Sequence, residues 1–333
     1  MSKIGKIVIW TVVAVILAVI LVWGIVGGTM WNNAWSGVSN IFSNVGINLN
    51  GFFDQLPEDA QTSTNFEKDA GGINRVSLQF VDERVEVVAS DDKVIRAEQT
   101  SKGQLDDDDI MHYGVKNGEL LVQSGRAKQT IFTNWGRNKD IRITLYIPRE
   151  YAGILEVSTV SGLINVQGVS AERGTFDTTS GAITLNDGTF GKIKTDSTSG
   201  NIEAGRITAD IFHANSVSGE ISAEGTLLET DISSTSGSVD IVTAEAKEFS
   251  ADTTSGTVRF ACGNADNLEK ISADTVSGAV EITLPENDGF KLSFDTVSGS
   301  TRNDFAMKND EYKNGGIDIN INTVSGSLDI INR

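Results

Sequence analysis

Four residues before a series of glycines stands an acid or its amide: Asp177, Asp196, Asn215, Asp252, Asp274, Asp295 and Asn322. Carboxylates set side by side can do two kinds of chemistry. Two at the right separation act as acid and base across a glycosidic bond, and several converging on one point hold a cation. The same column could line a carbohydrate site. An active site, however, concentrates unlike groups in one place, and these acids are spread evenly over many copies. Asp, Asn, Ser and Thr also bond nearby backbone amides in turns, and that structural role is the leading reading of the column.

Other chemistry-bearing residues are sparse. The serine before each glycine recurs nine times, so no single serine is marked as a nucleophile. The two histidines, His112 and His213, are far apart, and His213 falls in a column expected to face outward. No HExxH, CxxC, Walker A or GxGxxG pattern occurs. Cys262 is the one cysteine, so no intrachain disulfide can form. The run Asp106 to Asp109 lacks the spaced ligands and glycine of a calcium loop and reads as a solvated acidic loop. No catalytic residue, cofactor or metal is expected, and the chain reads as a non-enzyme. The segment Arg302–Gly316 breaks the repeat. It reads as a surface loop, with Asp304, Asp310, Glu311, Tyr312 and Lys313 as a candidate binding loop.

The glycines themselves define the architecture. Gly162, Gly181, Gly200, Gly219, Gly237, Gly256, Gly278, Gly299 and Gly326 each end a Thr/Ser–Val/Thr–Ser–Gly tetrapeptide. Their spacing is 19, 19, 19, 18, 19, 22, 21 and 27 residues. A period near 20 predicts an all-β parallel β-solenoid, or β-helix, with coils of about 19 residues, each stacked on the one before it in sequence. Two and four residues after the glycine the side chains are mostly apolar, as in Ile183 and Leu185, Val258 and Phe260, or Leu328 and Ile330. Polar residues such as Thr184, Arg259 and Asp329 lie between them. Alternation with period 2 predicts a strand with one buried face. Phe249 and Ala251, or Ile319 and Ile321, alternate likewise before the glycine. The glycines are expected at the corners because they accept positive φ.

The regular repeat spans 151–333, and residues 73–150 read as irregular capping coils. Strand-like alternation continues there, in Val85-x-Val87 and Ile143-x-Leu145-x-Ile147-Pro148, but off the glycine period. Residues 54–72 are polar and read as a linker. Ile7 to Val26 is an apolar run long enough to span a bilayer. Lys3 and Lys6 precede it, which predicts a cytoplasmic tail over 1–6 and an uncleaved transmembrane signal anchor over 7–28. In 29–53, Trp31, Trp35, Val38, Phe42 and Val45 share one helical face. That segment is either an interfacial helix on the outer leaflet or a linker helix packed on the first coil. The expected location is a bacterial cell membrane, single-pass, with the C-terminal domain outside.

With 45 acidic and 27 basic residues the formal net charge is −18. That excludes nucleic acid and anionic lipid headgroups as partners of the exterior part. The partners that remain are the bilayer, through residues 7–28, and an envelope protein or glycan. The leading function is envelope-associated binding by a displayed repeat. The alternatives are a polysaccharide-active β-helix enzyme and a structural spacer.

The Thr-x-Ser-Gly-x-Ile coils from Ser158 to Ile330, the Val85-x-Val87 strand and the Ile143-x-Leu145-x-Ile147-Pro148 strand resemble a known group. It is the bacterial "putative adhesin" family of β-strand repeats, the LiaG-like group of unknown function, and the resemblance covers about residues 73–333. It implies a cell-envelope protein, sometimes tied to envelope stress, with no catalytic residues to carry over.

Overall fold

The computed structural model describes residues 56–125 and 139–333. These residues form strands and turns, with a single turn of 3₁₀ helix at Asp107–Asp109. The expected all-β class is therefore observed. The tail over 1–6, the anchor over 7–28 and the helix over 29–53 lie outside the described residues. Among the described residues no helix is long and apolar enough to cross a membrane.

The repeat period appears directly as strand register. After the corners, Ile164, Ile183, Ile202, Ile221, Val239, Val258 and Val280 are in-register neighbours on successive parallel strands. Before the corners, Asp177 pairs with Asp196, Asp196 with Asn215, and Asn215 with Ser233. Each ladder presents apolar side chains inward, and those of Ile183, Phe212, Ile241 and Phe249 are almost fully buried. Burying one such side chain is worth about 1.5–3 kcal/mol, so the inward columns dominate the energetics. They also fit together by size. Gly174 sits two residues before Phe176, whose ring fills the space its Cβ would take, whereas Phe212 and Phe249 are followed by Ala214 and Ala251. Large and small residues thus alternate between the two inward positions, as close packing of a core requires.

The corners differ from expectation in their cause. None of the nine corner glycines has positive φ; among the described residues the glycines that do are Gly72, Gly118, Gly168, Gly225, Gly289 and Gly315. The constraint is instead close approach. A Cβ on Gly181 would lie 1.7 Å from the carbonyl oxygen of Gly162, and one on Gly219 would lie 2.0 Å from that of Gly200. The column excludes any side chain because successive coils touch there, backbone to backbone.

Stacking does not follow chain order at the ends. The strand Ile317–Thr323 pairs on one edge with Lys270–Thr275 and on the other with Gly289–Thr296. Leu328–Asn332 likewise lies between Val280–Leu284 and Thr301–Asn303. The last coil in sequence is thus inserted between its two predecessors, and Gly326 packs on Gly278 while Gly299 packs on Gly326. The reason is composition. After Gly299 the inward positions hold Thr301 and Asn303, whereas after Gly326 they hold Leu328 and Ile330, both fully buried. The polar coil goes to the end and the apolar coil goes inside.

The N-terminal end is closed by antiparallel strands. Val94–Thr100 covers Arg142–Pro148, and Asn65–Asp69 covers Val94–Thr100. Gln61–Thr62 adds to His112–Lys116. The stretch 54–72, expected as a linker, therefore contributes two strands and the buried ring of Phe66. Phe66 was masked in sequence by its polar neighbours.

Candidate functional site

The outward surface of the pre-corner sheet is the natural candidate, because charged and polar residues recur there in columns on coil after coil. The Asp/Asn column is outward and partly exposed, as at Asp177, Asp196 and Asn215. The next column, Thr178, Ser197, Ser216 and Ser234, points inward and is buried. Its hydroxyls accept the N–H of the corner glycine three residues on, at 3.0 Å for Thr178–Gly181 and 2.8 Å for Ser216–Gly219. Turn chemistry thus explains the inward hydroxyls, while the acids stay available outside.

The acid column is not uniform. Asp177 and Asp196 are in-register neighbours on adjacent strands, and the Ser158 hydroxyl lies 3.5 Å from Asp177 Oδ2. Asp196 accepts from the Lys194 ammonium and from Asn215 Nδ2 at 2.7 Å. Burial, and then the charge of Asp196, push the Asp177 carboxyl up to about 7. Asp274 is stabilised differently, by Asn322 Nδ2 at 2.7 Å. The column therefore mixes one acid whose pKa is raised by burial and a like-charged neighbour with amide-supported acids. Among the described residues no group of three or more His, Cys, Asp or Glu is placed to hold a metal ion.

The segment Arg302–Gly316 forms a cap over the C-terminal end. Phe305 and Tyr312 are buried against Phe290, with ring centroids 5.2 and 5.4 Å away. Glu311–Lys313 is a short antiparallel strand on Gly289–Lys291. The Tyr312 hydroxyl and the Lys313 ammonium both donate to Glu286, each at 2.5 Å. Asp304 lies 3.5 Å from Arg302, while Asp310 and Glu311 are exposed. The structure gathers Tyr312 and Lys313 on Glu286 and leaves Asp304, Asp310 and Glu311 apart from them.

Two clusters escaped sequence reasoning. Glu83 is buried where the first coil turns, and its carbonyl oxygen stands where a Cβ on Gly162 would be. Its carboxylate accepts from Ser124 and from the N–H groups of Val81 and Asp82, at 2.8 and 3.0 Å. Burial pushes its pKa up despite those bonds. It does for the first turn what a Thr or Ser hydroxyl does for the later ones, and a lone glutamate outside the repeat gives no signal of that. The acidic run Asp106–Asp109 is also not simply solvated. Asp109 is buried, and Lys139 pairs with both Asp106 and Asp109. A cavity of about 90 Å³ beside it is lined by Asp82, Arg84, Lys139, Asp140, Ser161 and Leu163. That is well below the roughly 300 Å³ where small-molecule pockets begin.

The Toastrack DUF4097 family model matches residues 73–332. The chain belongs to that family. Among solved structures, the Toastrack chain is similar to a "putative adhesin" from Parabacteroides distasonis ATCC 8503. The two share 13% identity over 83% of this chain and 99% of that one, with a TM-score of 0.50. A "putative adhesin" from Bacteroides fragilis NCTC 9343 matches at 13% identity over 83% and 98% of the chains, TM-score 0.38. A "putative cell adhesion protein" from Clostridium sporogenes ATCC 15579 matches at 13% identity over 82% and 100%, TM-score 0.25. No curated protein matches the sequence. The Parabacteroides likeness supports the Toastrack fold.

Proposed function

We propose that this Toastrack chain is a membrane-anchored β-solenoid, displayed on the outer side of a bacterial membrane, that binds envelope partners. The role would be adhesion, envelope-stress sensing or scaffolding, and the partner an envelope protein or glycan. The observation that carries the reading is the uninterrupted outward surface: charged and polar columns repeat on coil after coil. Such a surface suits multivalent contact through many weak sites. The likeness of its fold to proteins described as adhesins is in keeping with this.

The surface binds rather than catalyses. The acids of the outward column are spread over coil after coil, whereas an active site gathers unlike groups in one place. The anchor over 7–28 holds the domain at the membrane, with residues 1–6 inside.

Protease added to intact cells should remove the C-terminal domain, and carbonate washing should leave the chain in the membrane pellet. Full protection of the domain refutes the orientation. Cross-linking in envelope preparations should capture a protein or glycan, and polysaccharide cleavage by the purified chain that is abolished by Asp196→Asn refutes the non-enzyme reading.

A further inference from the structure

The pre-corner sheet carries a charge pattern that the binding role does not require. Eight residues before most of the corners, the outward column runs Arg173, Lys192, Ile211, Glu229, Glu248 over five successive coils. That is two cations, an apolar residue and two anions. The adjacent column runs Thr175, Lys194, His213, Asp231, Ser250 over the same coils. Both columns change sign about the coil of Ile211 and His213.

A stack that is antisymmetric in charge is complementary to itself. A second copy turned by 180° about an axis along the Ile211 strand presents the same face with coil order reversed and columns aligned. Arg173 then faces Glu248 of the second copy, Lys192 faces Glu229, and Lys194 faces Asp231, each contact occurring twice. Ile211 meets its own equivalent on the axis. The antisymmetry extends outward. Arg75 lies on the coil that would face Asp318, and Glu119 on the coil that would face Lys291. The Ile211 coil is also the midpoint of the parallel array, which has five pre-corner strands on each side, from Glu119–Gln123 to Gly289–Thr296.

No like charges meet in these two columns. In the third column Asp177 faces Asp252, and the raised pKa of Asp177 blunts that contact. Among the described residues Arg173, Lys192, Asp231 and Glu248 form no ion pair within the chain; Lys194 shares Asp196, and Glu229 has Lys247 at 3.8 Å. Eleven strands at about 4.8 Å, each offering about five residues at ~3.3 Å, give roughly 850 Å² per copy. Two such faces bury roughly 1,700 Å², the size of a specific protein–protein interface.

We propose that this face is a homodimer interface, with two copies packed front to front about the Ile211 strand. The surface charge of the whole chain is strongly negative, so two copies repel in most orientations and this registration is selected by its charge pattern. Association should weaken as salt is raised.

The test uses the full chain in detergent. An Ile211→Cys variant treated with a bis-maleimide linker spanning about 10 Å, the separation of face-packed sheets, should give a covalent dimer. The unsubstituted chain, whose Cys262 is buried, should not. Lys192→Glu with Lys194→Asp should cut the yield about tenfold, and adding Glu229→Lys with Asp231→Lys should restore it. Mixing Arg173→Cys with Glu248→Cys copies should give more cross-linked dimer than either alone, which tests the registration without charge reversal. A monomer by sedimentation at tens of micromolar with no Ile211→Cys cross-link overturns the proposal. So does a cross-link indifferent to both the charge reversal and the mixed pairing.

Discussion

The carbonyl oxygen of Gly181 lies 1.6 Å from the point that a Cβ on Gly200 would occupy. No rotamer change relieves such a clash, because both groups are backbone. Gly200→Ala must push two coils apart and should cost about 2 kcal/mol or more. Gly103, whose Cβ would find its nearest neighbour at 3.8 Å, serves as the control, and Gly103→Ala should be neutral within ~0.5 kcal/mol. Urea melts of the two variants decide it; equal midpoints would mean that the corner column tolerates side chains.

Inward and outward positions one residue apart should respond differently. Val258 is fully buried, and Arg259 is exposed, 3.9 Å from Glu281. Val258→Asp buries an unpaired charge and should cost several kcal/mol, on the order of 3–5. Arg259→Asp sets like charges side by side at the surface and should cost about 1 kcal/mol or less. Similar losses in denaturant melts would contradict the facing of this strand.

The raised pKa of Asp177 should make stability depend on pH. The folded chain holds the Asp177 proton more tightly than the unfolded chain does, because the folded pKa is raised to about 7. Stability from this group is therefore fully present below about pH 4, the unfolded carboxyl value, and is lost as pH rises through 7. Asp177→Asn should remove that dependence and gain about 1–2 kcal/mol over the native chain at pH 8 relative to pH 4. Parallel stability curves for the two proteins would show that this carboxyl is not linked to folding.

The cap should prove structural. Phe305 and Tyr312 cover Phe290, so Tyr312→Ala should cost about 2–4 kcal/mol through the cavity it leaves. Asp310→Asn, on the exposed turn, should leave the melting midpoint unchanged. A Tyr312→Ala chain as stable as the native one would return the segment to a free loop.

The repeat was legible because its signals are local. A glycine period, a period-2 alternation and a hydroxyl before each corner can all be read without knowing what lies opposite. Ile183, Val258 and Leu328 fall inward as that alternation requires. What could not be read was set by non-local contact. The glycines at the corners reflect a neighbouring coil's carbonyl rather than their own φ, and spacing alone cannot separate those causes. Stacking order was hidden for the same reason, although the polar Thr301 and Asn303 after Gly299 already marked that coil as unfit for an interior place. Glu83 and Phe66 draw their roles from partners such as Ser124 and Tyr113, far off in sequence. The raised pKa of Asp177, in a column that looked uniform, depends on its burial and on the charge of Asp196 beside it.

The insertion of Ile317–Asn332 between two earlier coils has a consequence for biosynthesis. A ribosome releases Lys270–Leu284 and Gly289–Asn303 before the strands that must separate them. Until those strands emerge, the inward faces of Ile271, Ile282 and Phe290 have no permanent neighbour on one side. A message or nascent chain broken before Ile317 therefore yields a product with an apolar slot left open. The core at this end therefore closes only after Ile317–Asn332 has been made, later than the strands on both sides of it.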